Sequence, residues 1–157
     1  MPDRDAGAGS QASAPPEARF RRPATDVVAR AARRAVRGGK ASFPSLAAFR
    51  EAVVDALRRD EPLATVGGRR LRRLLVDVPG VKLTVRYTER PDGPLPERCP
   101  VCGSELVPIR NRTLTGETVV LGRECSRCAY WTHAARRVPV RYTVSRGVPR
   151  AALARKR

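Results

Sequence analysis

The sequence predicts an α+β chain: a small basic helical unit, then a three-stranded antiparallel sheet organised around cysteines. Three observations carry this. Apolar residues recur at spacings of three and four between residues 25 and 78. They alternate strictly with polar ones over 81–88, in "VKLTVRYT". The chain's four cysteines fall in two Cys-x2-Cys pairs, with 22 residues between Cys102 and Cys125.

Residues 1–23 mix Gly, Ala, Ser, Pro and charges with little to bury, and are expected to be disordered. A helical unit over 24–88, ending in a strand, begins with "TDVVARAARRAVRGG". Thr25 can cap that helix, Gly38 and Gly39 end it, and Val28, Ala31, Ala32, Ala35 and Val36 share one side. In "SLAAFREAVVDALRRD", Leu46, Phe49, Val53, Ala56 and Leu57 form the apolar face of a second helix, which stops before Pro62. A third, in "VGGRRLRRLLVDV", turns Leu71, Leu74, Leu75 and Val78 inward and crowds Arg69, Arg70, Arg72 and Arg73 into its first turns. Pro79-Gly80 is a turn. In the strand that follows, Val81, Leu83, Val85 and Tyr87 point one way and Lys82, Thr84, Arg86 and Thr88 the other. Residues 89–98 are a Pro-rich linker. The order helix, helix, turn, basic helix, strand resembles a helix-turn-helix or winged-helix unit. That likeness implies that Arg69, Arg70, Arg72 and Arg73 lie near DNA.

The strongest signal lies in "ERCPVCGSEL" and "RECSRCAYW". A Cys-x2-Cys turn converges two thiolates, and two such turns complete a tetrahedral site of soft ligands, which suits one structural Zn2+ held by Cys99, Cys102, Cys125 and Cys128. Gly103 lets the chain bend back after the first pair and Pro100 fixes its entry. Disulfides require an oxidising compartment, and a redox pair belongs beside a βαβ unit absent here. Iron uses the same spacing and is set aside on composition, the chain being basic and poor in aromatics. "ELVPIRNR" and "ETVVLGRE" read as strands joined by a turn at "TLTG", and "RRVPVRYTVSR" as a third strand with Val138, Val140, Tyr142 and Val144 on one side. "VRYT" also occurs at 85–88, so 81–88 can pair with that last strand. Tyr130 and Trp131 are expected to pack in the core or at a hinge, the alternative being that they stack on bases beside a basic face.

Residues 99–145 therefore resemble the zinc-ribbon superfamily, on Cys99, Pro100, Cys102, Gly103, Cys125 and Cys128. Ala129 stands where the second knuckle often carries Gly. The whole order, a helix-turn-helix-like unit and then a ribbon, is similar to that of archaeal transcription factor E. The likeness implies a three-stranded antiparallel zinc ribbon and a role in a nucleic-acid machine.

Charge points the same way. The formal net charge is +17, and 29 of the 32 basic residues are Arg. Residues 21–98 and 123–157 each carry +9, while 99–122 carry none. Arg forks onto phosphate, so the expected partners are DNA or RNA, the ribosome and RNA polymerase among them. Arg136, Arg137 and Arg141 on the ribbon join the helix arginines as expected contacts. The basic tail, 146–157, is expected to be disordered and to follow phosphates without reading sequence. Four thiolates leave a zinc no open position, and no phosphate loop or catalytic triad appears, so an enzyme with a small-molecule substrate is not expected. Neither a membrane span nor a secretory signal is read, and a cytoplasmic location is expected. A protein–protein adaptor that docks through the ribbon is the alternative.

Overall fold

The structure, a computed structural model, describes residues 20–38 and 42–147. Thr25–Gly38 winds into α1, burying Val28, Ala31, Ala32 and Val36 on the side the spacing predicts. After a two-residue strand, β1 (Ser42–Phe43), α2 covers Leu46–Arg58. The Ser45 hydroxyl caps α2 by accepting from the Ala48 N–H at 3.1 Å. A nine-residue connection (59–67) leads to α3, Gly68–Leu75, longer than the three or four residues of a helix-turn-helix. It is held by a bridge between Arg21 and Ala64, which places residues 20–23, read from sequence as disordered, against the helical unit. Residues 1–19 and the tail from 148 lie outside the described residues.

Beyond α3 come β2 (Val81–Arg90), β3 (Leu106–Arg112), β4 (Thr118–Cys125), β5 (Trp131–Thr132) and β6 (Arg136–Arg146). They form two three-stranded antiparallel sheets, ordered β1-β6-β2 and β3-β4-β5. The pairing differs from expectation in one respect. Residues 136–146 were expected beside the cysteine hairpin as its third strand; they pair with β2 and β1, and the third strand beside β4 is the short β5. The reason is length and burial. β6 matches the ten residues of β2 and sets Val144 beside Leu83 and Tyr142 beside Val85, whereas the turn after Cys128 leaves room for only two residues against β4.

A bulge corrects a second detail. Arg86 pairs with Arg141 but Tyr87 pairs with Pro139, so Val140 has no partner and lies 56% exposed. Past that point the faces of β6 exchange, which brings Arg137, not Val138, to the side of Tyr87.

The inner face of the β1-β6-β2 sheet supports two cores. At one end Val81 and Val144 join Phe49, Val53, Leu71 and Leu75 of the helices. Burying each of these large side chains is worth about 1.5–3 kcal/mol. At the other end Val85, Tyr87 and Tyr142 pack on a second cluster made of Val76, Val101, Leu106, Tyr130 and the cysteines. Leu83 touches both. One sheet thus carries the helices and the cysteine hairpin side by side.

Candidate metal centre and basic surfaces

The second core is built around sulfur. One sulfur from each of Cys99, Cys102, Cys125 and Cys128 lies within 4.8 Å of the others, and three of the four residues are buried. Two of the pairs, Cys99–Cys128 and Cys102–Cys125, are 3.5 Å apart. That is far beyond a disulfide and close to the edge of a tetrahedron with metal–sulfur bonds of about 2.3 Å.

Each pair sits in a tight turn. In the first, the Gly103 N–H donates to the Cys99 carbonyl at 2.8 Å, the Cys99 N–H to the Ser104 carbonyl at 2.7 Å, and Gly103 takes φ +81°. In the second, the N–H groups of Arg127 and Cys128 both donate to the Cys125 sulfur at 3.4 Å. Ala129 fits in place of Gly because, among the described residues, only glycines adopt positive φ.

Protons cannot satisfy this cluster evenly. Hydrogen bonds from Cys128 and Cys99 push the Cys102 thiol far down, while the bonds to Cys102 push Cys128 and Cys99 up. The residues present therefore fit a closed four-thiolate metal site. Two guanidinium groups border it. Arg73 of α3 lies against the first turn, within about 3.0 Å of where a Cβ on Gly103 would stand. Arg127 of the second turn binds Asp77, just past α3, its Nε donating at 2.8 Å. Both bring positive charge to a site that would carry net negative charge when filled. His133 lies elsewhere, edge-on to Trp131 at 4.8 Å.

The seven arginines expected as nucleic-acid contacts fall into separate groups. Arg69, Arg70 and Arg73 line a shallow cleft with Phe20 and Arg22, but Arg70 also donates to the Pro23 carbonyl at 2.6 Å. Arg72 turns inward, donating to the Tyr142 hydroxyl at 3.0 Å with its guanidinium over that ring. Arg137 is sandwiched between aromatic rings, 4.4 Å from the centre of Tyr87 and 4.1 Å from that of Trp131. Arg136 and Arg141 sit on the opposite face of the sheet, where the exposed Arg141 donates to the Pro44 carbonyl at 3.3 Å. Arg70, Arg72 and Arg137 therefore tie elements together, while Arg69, Arg73 and Arg141 are exposed.

Sequence reasoning passed over three positions that shape the site. Asp77 tethers the second turn. The fully buried Thr132 accepts from the Arg137 N–H and donates to the Ala135 carbonyl at 2.6 Å, fixing the turn into β6. Gly122 leaves space for the Thr132 backbone. Only the last had a legible signal, a Gly inside a strand. Tyr130 is interior as expected, its hydroxyl donating to the Arg137 carbonyl at 2.8 Å, whereas Trp131 is 42% exposed. No helix among the described residues is long and apolar enough to cross a membrane. Compared with protein-family models, curated proteins and solved structures, the chain matches none.

Proposed function

We propose that this is a non-catalytic zinc-ribbon-type protein that binds nucleic acid, or a nucleic-acid machine such as a transcription complex or the ribosome, through its arginine-rich surface. Zinc held by Cys99, Cys102, Cys125 and Cys128 stabilises the second core and does no chemistry, since four thiolates fill its coordination. The observation that carries the reading is uncompensated charge. The chain has a net charge of +17, and among the described residues only Arg30, Arg34 and Arg127 form ion pairs. Cations left without carboxylates are what a polyanion neutralises.

Salt titration of binding to a fluorescent 24-base-pair duplex tests this. If six or more phosphates are engaged, affinity falls by about a thousandfold or more between 50 and 200 mM salt. A salt-insensitive complex, or no complex, would rule the reading out.

The adaptor reading has its own support in the β3–β4 hairpin. Val107, Val120, Leu121 and the tip residue Leu114 are all more than 40% exposed, an unusual apolar display on a two-stranded arm. A partner docked there should bind with little dependence on salt, so the same titration separates the two readings.

A further inference from the structure

The outer face of the β1-β6-β2 sheet bears an arrangement that folding alone does not favour. Antiparallel strands normally set opposite charges, or a charge and a neutral residue, across from one another, because like charges directly opposite destabilise the pair. Here Arg86 lies across from Arg141, and Arg90 across from Arg136. Lys82 adds a fifth cation at the far end, across from Ser145. Between these rows Thr84 faces Thr143, and Thr88 faces Val138. Lys82, Thr84, Arg86, Thr88 and Arg90 are all exposed, whereas Leu83, Val85 and Tyr87 between them turn towards the cores. No carboxylate shares the face within β2 and β6: Glu89 is paired with Arg137 on the other side. None of the five cations forms an ion pair among the described residues.

We propose that this open sheet face is the docking surface for a double-stranded nucleic acid, held through its phosphates. The inference rests on the nucleic-acid reading above and assigns it a surface. Two residues of antiparallel strand advance about 6.8 Å, so cation rows at 82, 86 and 90 lie about 13–14 Å apart and span about 27 Å. That length is enough to lie across a duplex. The threonines between the rows offer hydroxyl donors to phosphate oxygens. A single-strand platform would present aromatic rings for bases to stack on, and this face has none in β2 or β6. Tyr87 and Tyr142 point inward, and Trp131 lies on the inner side against Arg137. A phosphate seated between Arg86 and Arg141 removes their mutual repulsion, so the like-charge pairs are costly only while the face is empty.

The test is a triple variant of the full chain, Arg86→Thr, Arg90→Thr and Arg141→Thr. Threonine suits a strand and already occupies this face. A control, Arg30→Thr, Arg33→Thr and Arg37→Thr, removes the same charge from the exposed side of α1. Binding to 24-base-pair RNA and DNA duplexes is followed against salt. For the sheet variant the slope of log affinity against log salt is expected to shrink by about 2.7, the share of three phosphate contacts, with affinity at 0.1 M salt down at least about tenfold. Its melting temperature without ligand should equal or exceed that of the unaltered chain, because repulsion is relieved, and a merely structural role predicts the reverse. The α1 control should keep most of the slope. Equal losses in both variants overturn the proposal, as diffuse charge would then suffice. Preference for a single strand of equal phosphate number, or equal competition by poly-aspartate, overturns it as well. An unaltered slope in the sheet variant overturns the assigned surface but leaves nucleic-acid binding standing, whereas no binding by the unaltered chain sinks both.

Discussion

Replacing Cys102 with Ser is expected to abolish metal binding and to dissolve the second core while the helical core stays folded. The expectation follows from what each core contains. The helical core holds Phe49, Val53, Leu57, Leu71 and Leu75, all at most 2% exposed, and does not include the cysteines. Without a metal, the second core is left with Val76, Val101, Leu106 and Tyr130 around sulfurs with no common ligand. Structural zinc supplies on the order of 10 kcal/mol to small sites of this type, as much as the roughly 6–12 kcal/mol that burying those four side chains contributes together. Elemental analysis should find one zinc per unaltered chain and almost none in Cys102→Ser. Amide exchange should speed up across 99–135 and stay slow in α1 and α2. Chelation of the unaltered protein should reproduce the pattern, and acid should act in the same direction, because protons compete with the ion for the thiolates. A metal-free variant whose hairpin remains protected would show that the cysteines are packing residues and not ligands. Iron in place of zinc would correct the metal while leaving the architecture intact.

Sequence and structure agree wherever the controlling interactions are local. Helix periodicity placed Val28, Phe49 and Leu71 inward, and the Cys-x2-Cys spacing brought four sulfurs together because each turn is closed by its own backbone. The partner of β6 was only half legible. Its alternation matched that of β2, and the repeated "VRYT" hinted at their pairing, but alternation reports faces and not neighbours. The bulge at Val140 was invisible, since one unpaired residue leaves no mark on composition, yet it decides that Arg137 reaches Tyr87 and Trp131. The arginines show the limit most plainly. Arg70, Arg72 and Arg137 look like Arg69, Arg73 and Arg141 in sequence, and tertiary partners and burial separate them: Pro23, Tyr142 and the Tyr87–Trp131 pair half-bury the first three, while Arg141 stays exposed although it reaches the Pro44 carbonyl. The same reading passed over Arg86 as the outer side of a strand and placed Arg90 in the linker over 89–98, whereas it belongs to β2. Their meaning depends on Arg141 and Arg136 standing opposite.

Gly122→Ala is expected to damage the hairpin about as severely as any single substitution outside the cysteines. Gly122 pairs with Ile109 on one side, while β5 crosses close on the other. A Cβ at this position would overlap the Thr132 carbonyl oxygen and stand 2.9 Å from the His133 Cα. Both neighbours are backbone, so no flexible side chain can swing away. β5 cannot retreat cheaply either, because the buried Thr132 hydroxyl is bonded to Ala135 and Arg137 and the Tyr130 hydroxyl to the Arg137 carbonyl. Overpacking of this kind costs about 1–3 kcal/mol, and the rigidity here places the change at the upper end. For a chain of this size, about 3 kcal/mol corresponds to a melting temperature lower by roughly 6–12 °C. Gly68→Ala supplies the contrast. It lies at the start of α3 with nothing within 4 Å of the added carbon, so it should raise stability by up to about 1 kcal/mol through a less mobile unfolded chain. Opposite signs from the same one-carbon change would locate the constraint in the contact between β4 and β5. A neutral Gly122→Ala would mean that β5 is free to shift, and that Thr132 does not hold the turn into β6.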